Sequence, residues 1–233
     1  MIVSKLNYSI EHFKNAPLVI HPDNRGRPLD IEHFKGKHLD LERNNHLRES
    51  LKQVKLDGEI LEFGVYKAGS TNIIAETFKD KTIHGFDSFE GLPEDWAVLN
   101  GEVHNPKSLK RKKGYFALDE LPEVKSNVRL WKGWFDDTTP KYIEEIKPQQ
   151  IAFLHIDGDL YSSAKSNLYT LEKFIVKDTI ICFDELYPFG RKKYDTWEEG
   201  EFKALKEWTH DFSREFEVIS HNLHQQSTIR IIK

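Results

Sequence analysis

The sequence is expected to fold as an α/β protein built on a mostly parallel sheet with helices on both faces. Three observations predict this. Short apolar runs alternate with helix-compatible segments along most of the 233 residues. The runs are nearly continuous rather than alternating with polar residues, as in strands buried on both sides. The last two runs, Phe216-Glu-Val-Ile-Ser220 and Thr228-Ile-Arg-Ile-Ile232, are joined by a short polar turn, His221 to Gln226. They form a hairpin, so the final strand runs antiparallel to its partner.

Residues 1 to about 38 are irregular, because Pro17, Pro22, Gly26 and Pro28 interrupt any period. Leu41, Leu47, Leu51 and Val54 give residues 40–55 the apolar stripe of a helix. Strands are expected at 59–64, 82–87, 128–132, 151–157 and 179–184, with helices at 70–79, 138–146, 160–176 and 198–212. Five parallel strands and a hairpin make a seven-stranded sheet. That differs from a plain dinucleotide-binding fold, in which a sixth strand is linked through a helix. Residues 1–57 then read as an N-terminal helical and irregular cap, and 58–233 as one domain. The connection 88–127 exceeds what joining two strands requires, which marks a lid-like insertion.

A chain of this length buries a sizeable core without staples. The single cysteine, Cys182, excludes a disulfide framework or a thiolate zinc cluster, and its place inside a strand reads as packing. A formal charge of −4 gives no general attraction to nucleic acid. No apolar run approaches the roughly 20 residues that span a bilayer, and the N-terminus lacks the plan of a signal peptide. A soluble, cytoplasmic protein without nucleic-acid or membrane partners is expected.

The segment Gly58-Glu-Ile-Leu-Glu62-Phe-Gly64-Val-Tyr-Lys-Ala-Gly69-Ser70-Thr71 carries a strand through an acid into glycines and a helix start. Gly64 and Gly69 permit positive φ and close approach of a ligand to the main chain. Ser70 or Thr71 is placed to cap a helix whose N–H groups favour a negative ligand group. The next strand ends in Asp87-Ser88, about two dozen residues on, where a carboxylate accepts the ribose hydroxyls of a nucleoside cofactor. Asp87 reads equally as a helix cap. The glycine spacing departs from the nicotinamide fingerprint, which favours S-adenosylmethionine over NAD.

His155-Ile-Asp157-Gly-Asp159 and Cys182-Phe-Asp184-Glu185 end two further strands, placing carboxylates on one sheet edge. Converging carboxylates repel unless a cation lies between them, and an all-oxygen set suits Mg²⁺. Alternatively, Asp159 caps the helix that follows and Glu185 is solvated. His155 lies deeper and reads as a hydrogen-bonded core histidine.

From Gly58 to about Trp208 the sequence resembles the macrocin O-methyltransferase family. The resemblance rests on Glu62–Thr71, on Gly85-Phe-Asp-Ser-Phe-Glu-Gly-Leu-Pro-Glu94, on Lys132-Gly-Trp-Phe-Asp-Asp-Thr-Thr-Pro140 and on Leu154-His-Ile-Asp-Gly-Asp-Leu-Tyr-Ser162. It implies a class I methyltransferase sheet and Mg²⁺-dependent methylation of hydroxyls, often on deoxysugars. By the same resemblance Gly64, Tyr66 and Ser70 line the methionine part of the cofactor, and Asp87 holds the ribose. Gly133, Trp134 and Phe135 approach the adenine. Glu62, Gly69, Thr71 and Ser88 lie in the matching motifs and complete the candidate cofactor set. Asp157, Asp184 and Glu185 are the implied metal ligands, with Asp157 also reaching the cofactor amine. Ala68 replaces a usual glycine, Glu185 replaces a usual aspartate or asparagine, and Leu160 leaves no equivalent of the lysine base of catechol O-methyltransferase.

The chemistry needs a metal-held acceptor hydroxyl aligned with the methyl group and a base to deprotonate it. Asp159, His221 and His224 are candidates for the base, the histidines reading more readily as exposed turn residues. The basic run Lys107–Lys113 reads as a solvated loop, or as a contact for an anionic sugar. The five histidines at 12, 21, 33, 38 and 46 lack metal-ligand spacing, so the N-terminal segment is expected to cover the acceptor site or a subunit contact. The competing reading is a glycosyltransferase in which Asp157-Gly-Asp159 holds a metal against a nucleotide sugar. The acceptor is a small molecule in either case.

Overall fold

The computed structural model describes residues 2–3, 10–22, 37–97, 110–186 and 197–233. The strands are β1 (Ile2–Val3), β2 (Glu59–Phe63), β3 (Ile83–Asp87), β4 (Trp96–Ala97), β5 (Lys110–Arg111), β6 (Val128–Lys132), β7 (Ile151–Ile156), β8 (Ile175–Phe183), β9 (Phe216–His221) and β10 (Ser227–Ile231). The α-helices are α1 (Glu11–Lys14), α2 (Lys37–Leu51), α3 (Gly69–Thr77), α4 (Phe135–Ile146), α5 (Tyr161–Thr170) and α6 (Glu201–Asp211).

Eight strands form one sheet in the order β1-β9-β10-β8-β7-β2-β3-β6, and β4 with β5 forms a separate ribbon. β6, β3, β2, β7 and β8 are parallel. β10 enters between β8 and β9, antiparallel to both. The seven expected strands are all present, and the two-residue β1 extends the edge beside β9. The reversal of strand order between β2 and β7 opens a crevice at the carboxyl ends of the parallel strands, where open α/β sheets take ligands.

Period-two alternation divides the side chains between two cores. Leu61, Phe63, Leu154, Ile156, Ile181 and Phe183 pack beneath α4, α5 and α6, joined by Tyr142, Leu168, Leu205 and Trp208. Ile60, Ile83, Phe153, Ile180 and Cys182 face α2 and α3, against Leu47, Leu51, Ile73 and Ile74. Each fully buried large side chain contributes about 1.5–3 kcal/mol. Phe63 and Phe86 stack at 4.4 Å, and Phe86 and Trp131 at 5.8 Å, forming a rigid aromatic floor near the strand ends.

Several boundaries move: the helix expected at 40–55 spans Lys37–Leu51, and the one expected from 138 starts at Phe135. The helix expected to reach residue 176 stops at Thr170, a 3₁₀ turn spans Glu172–Phe174, and β8 starts at Ile175. Strand pairing extends this far because Asp178 adopts φ 71° and the register against β7 shifts, an irregularity that an apolar count does not detect. Pairing with Ser227 draws His221 out of the expected turn into β9. The 1–57 cap and the 88–127 insertion fall partly outside the described residues, as do His33 and Lys107–Leu109.

Candidate functional site

β2 ends at Phe63, and the chain then turns sharply beneath β7. Gly64 has φ 99°, and a Cβ there would lie 1.9 Å from the Asp157 carbonyl oxygen, so only glycine fits. Gly69 differs from its expected role. Its φ lies outside the left-handed region and an added Cβ would touch nothing within 4 Å. The left-handed positions are instead Tyr66 (φ 47°) and Ala68 (φ 61°), each costing about 1–3 kcal/mol of backbone strain. Strain gathered in one loop is a feature of ligand sites.

Asp87 holds this loop. Its Oδ2 accepts from the N–H groups of Val65 (2.9 Å) and Tyr66 (2.8 Å), and its Oδ1 from Phe89 (2.7 Å). No helix follows, so the helix-cap alternative does not apply. α3 begins without a side-chain cap: the Ncap is Ala68, and Thr71 Oγ1 donates to Glu62 Oε2 instead. The first N–H groups of α3 are therefore left without a side-chain acceptor, an electropositive end suited to a carboxylate.

A cleft of about 710 Å³ opens over these elements. Gly64, Tyr66, Gly69, Ser70, Asp87, Ser88, Trp134, Phe135, Asp157, Asp159 and Asp184 all line it. So does α2, through Asp40, Arg43, Asn44 and Leu47, and the 88–127 insertion through Leu92, Pro93, Glu94 and Phe116. In that insertion Arg111 lies over the rings of Trp96 (4.7 Å) and Phe116 (4.9 Å) and reaches to 3.8 Å from Asp159. Lys112 is exposed and pairs with Asp95 at 2.7 Å, in keeping with a solvated loop.

Five expected site residues do not line the cleft, and one of them is the expected metal ligand Glu185. Glu62 and Thr71 are fully buried below it, because Glu62 shares the β2 face of Ile60, which points at α2 and α3. There Glu62 Oε1 meets His155 Nδ1 at 2.9 Å. Gly133 lies behind Trp134, with φ 139° and its N–H on the Asp87 carbonyl at 3.0 Å. His221 sits in β9, two strands from β8, with its backbone paired to Pro17 and Val19. Burial, reinforced by His46, holds its imidazole down at about 4. His221 therefore stands outside the cleft lining. Asp159 does not cap α5, whose Ncap Leu160 has no side-chain cap.

The carboxylates form two overlapping groups sharing Asp157: His155–Asp157–Asp184 and Asp157–Asp159–Glu185, the ligand atoms of each lying within 4.8 Å of one another. The Asp184 and Glu185 carboxyls also interact with each other. Asp184 meets Arg43 of α2. The Glu185 N–H donates to Glu201 Oε2 on α6 at 3.0 Å, and its Oε1 accepts from Gln225 at 3.2 Å. Burial, then repulsion from Asp184, raises the Asp157 and Glu185 carboxyls well above the usual range. Burial likewise pushes Asp159 up to about 7. Asp184 behaves oppositely. Burial raises it, but Arg43 and then His155 outweigh burial and hold it low.

Arg43, which the sequence did not single out, supplies the cation of this cluster. Its Nη2 donates to Asp184 Oδ2 at 2.5 Å and to Asp157 Oδ2 at 3.3 Å, and its Nε lies 3.4 Å from Asp184 Oδ1. Gln226 also donates to Asp184, and Asn222 holds Gln226 at 2.5 Å. A hard divalent cation fits the donor chemistry. Asp157, Asp159 and Glu185 offer oxygens only, and the buried Glu185 Oε2 has no hydrogen-bond partner among the described residues. A nucleoside cofactor also fits, given an uncapped helix start lining the cleft and Asp87 beside it.

The sheet order, its antiparallel ending and a cleft at the strand carboxyl ends define a class I methyltransferase fold. The chain belongs to the macrocin-O-methyltransferase (TylF) family, whose model matches residues 19–213. Among solved structures it is similar to CalS11, a calicheamicin methyltransferase (21% identity, TM-score 0.59, 93% of this chain and 87% of that one). It is also similar to the O-methyltransferase NovP (21%, TM-score 0.57, 83% and 81%). A third is an O-methyltransferase from Bacillus cereus in complex with SAH (15%, TM-score 0.50, 82% and 80%). No curated protein matches the chain. The family match spans both loop and carboxylates, so the glycosyltransferase reading is not favoured. No helix among the described residues is long and apolar enough to cross a membrane.

Proposed function

We propose that this protein is an S-adenosylmethionine-dependent, Mg²⁺-assisted O-methyltransferase acting on a hydroxyl of a sugar or sugar-containing small molecule. One observation carries the reading: Gly64 and Tyr66 of the strained loop, Asp87, and the carboxylates of Asp157, Asp159 and Asp184 line a single cleft. A second structure of CalS11 describes that protein as a TDP-rhamnose 3'-O-methyltransferase, which supports a sugar acceptor here. When bound, S-adenosylmethionine supplies an activated methyl group and Mg²⁺ a Lewis acid for the acceptor oxygen. The residues of the chain orient and desolvate. Gly64, Tyr66 and Ser70 would hold the methionine portion, Asp87 the ribose, and Trp134 and Phe135 would flank the base. Asp157, Asp184 and Glu185 would hold the metal. Asp159, on a left-handed backbone position (φ 62°) in the cleft wall, is placed to take the acceptor proton.

Calorimetric titration with S-adenosylmethionine, followed by methyl-transfer assays on sugar hydroxyls with Mg²⁺ or chelator, tests this. Micromolar cofactor binding and chelator-sensitive transfer are expected. A folded protein that binds neither S-adenosylmethionine nor its demethylated product refutes the cofactor assignment.

A further inference from the structure

Two expected metal ligands, Asp157 and Asp184, are already engaged by one guanidinium, that of Arg43. Arg43 is rigidly delivered. Glu42, its neighbour on α2, is buried and accepts the backbone N–H of His21 at 2.9 Å, while the Glu42 carbonyl accepts from Asn222 at 3.5 Å. Yet the Arg43 side chain is 35% exposed and lines the cleft, whereas the Asp184 side chain is 1% exposed. The carboxylate is fixed, and the cation has an open side through which to leave.

We propose that Arg43 is a displaceable counter-ion: in the metal-free protein it holds Asp157 and Asp184, and the divalent cation binds only by taking these oxygens from it. Arg43 thereby sets the metal affinity of the site and links metal occupancy to α2, one wall of the acceptor cleft. Without Arg43, burial and mutual repulsion would leave Asp157 and Asp184 uncompensated. With it, the site is neutralised until a metal arrives. The inference rests on the metal reading under Proposed function.

The test is Mn²⁺ binding to the purified protein, followed by electron paramagnetic resonance, in wild type, Arg43→Gln and Arg43→Lys. A charge-assisted, two-point guanidinium contact must be broken before the metal gains these ligands. Arg43→Gln should therefore bind Mn²⁺ about tenfold or more tightly, with Arg43→Lys between it and wild type. The Mn²⁺-induced rise in Tm should also be larger for Arg43→Gln than for wild type, a readout independent of turnover. Equal or weaker Mn²⁺ binding by Arg43→Gln, with its circular dichroism unchanged, overturns the counter-ion role alone. If Arg43→Gln does not fold, Arg43→Lys decides on the same criterion. No Mn²⁺ binding by wild type or either variant overturns the metal reading as well.

Discussion

Gly64→Ala isolates the one backbone position on which the whole site depends. The added Cβ would lie 1.9 Å from the Asp157 carbonyl oxygen and 2.6 Å from its carbonyl carbon, both main-chain atoms that cannot rotate away. Relief requires separating the end of β2 from the end of β7, which the Asp157 N–H to Phe63 carbonyl bond (2.8 Å) holds together, while the Gly64 N–H to Phe86 carbonyl bond (2.9 Å) pins the same residue to β3. Forcing a methyl group into packed structure costs about 1–3 kcal/mol. Holding alanine at φ 99° costs about 1–3 kcal/mol more. A loss of about 2–6 kcal/mol is expected, read from urea denaturation, together with loss of cofactor binding by calorimetry. Gly69→Ala is the control, because its Cβ meets nothing. Its stability should stay within about 1 kcal/mol of wild type. If the two variants lose similar stability, or Gly64→Ala loses less than about 1 kcal/mol, the backbone-contact explanation is wrong.

Two other perturbations probe the cleft. Asp87→Asn keeps shape but turns one oxygen, which now accepts a backbone N–H, into a donor. It should cost about 2 kcal/mol of stability and more than tenfold in cofactor affinity, by denaturation and calorimetry. Wild-type affinity in that variant would separate Asp87 from the cofactor. The second concerns pH. The folded-state pKa of Asp159, raised by burial to about 7, lies above its unfolded value, so its contribution to metal-free stability falls as pH rises toward 7. Protons and metal also compete for Asp157 and Glu185, whose carboxyls burial raises well above the usual range. The Mg²⁺-induced rise in Tm should be small at about pH 5.5 and large at about pH 8; a rise that is equal or larger at the lower pH refutes the carboxylate site.

The strand positions, the reversing hairpin and the cleft-lining loop were legible because they depend on apolar runs and glycines in a local sequence. The α2 contribution was not. Its stripe was read from Leu41, Leu47, Leu51 and Val54, but the buried face also carries Glu42, His46 and Ser50, spaced four apart. A hydropathy period cannot register a buried face that is half polar. The partners of that face, Thr228, Ser220 and Cys182, lie more than 130 residues away in sequence. Glu185 and Glu201 were obscured differently. Adjacent carboxylates in a motif look like one ligand pair, but a third acid, Glu201 on α6, accepts the Glu185 N–H from 16 residues away. The spacing Asp40, Arg43, Asn44, Leu47 was the available signal for Arg43, a helical face running from charge to core.

The buried polar face also explains why Glu62 matters without touching the cleft. Glu62 ties Thr71, in the first turn of α3, to His155, two residues before Asp157. Burial disfavours a charged His155, but Cys182 and then Glu62 overcome it and hold the imidazole well above its usual range. Glu62→Gln keeps the volume and removes the charge. Removing one member of a buried ion pair costs about 3–5 kcal/mol; the retained amide bonds reduce this to about 2 kcal/mol. Because both ends of the tie carry site elements, cofactor affinity should fall as well. A double-mutant cycle with His155→Gln separates a tie from two independent losses. Coupling above about 1 kcal/mol in stability is expected for one buried unit. Additive losses would mean that the loop and the carboxylates are positioned separately, and that their meeting in one cleft depends on the strand ends alone.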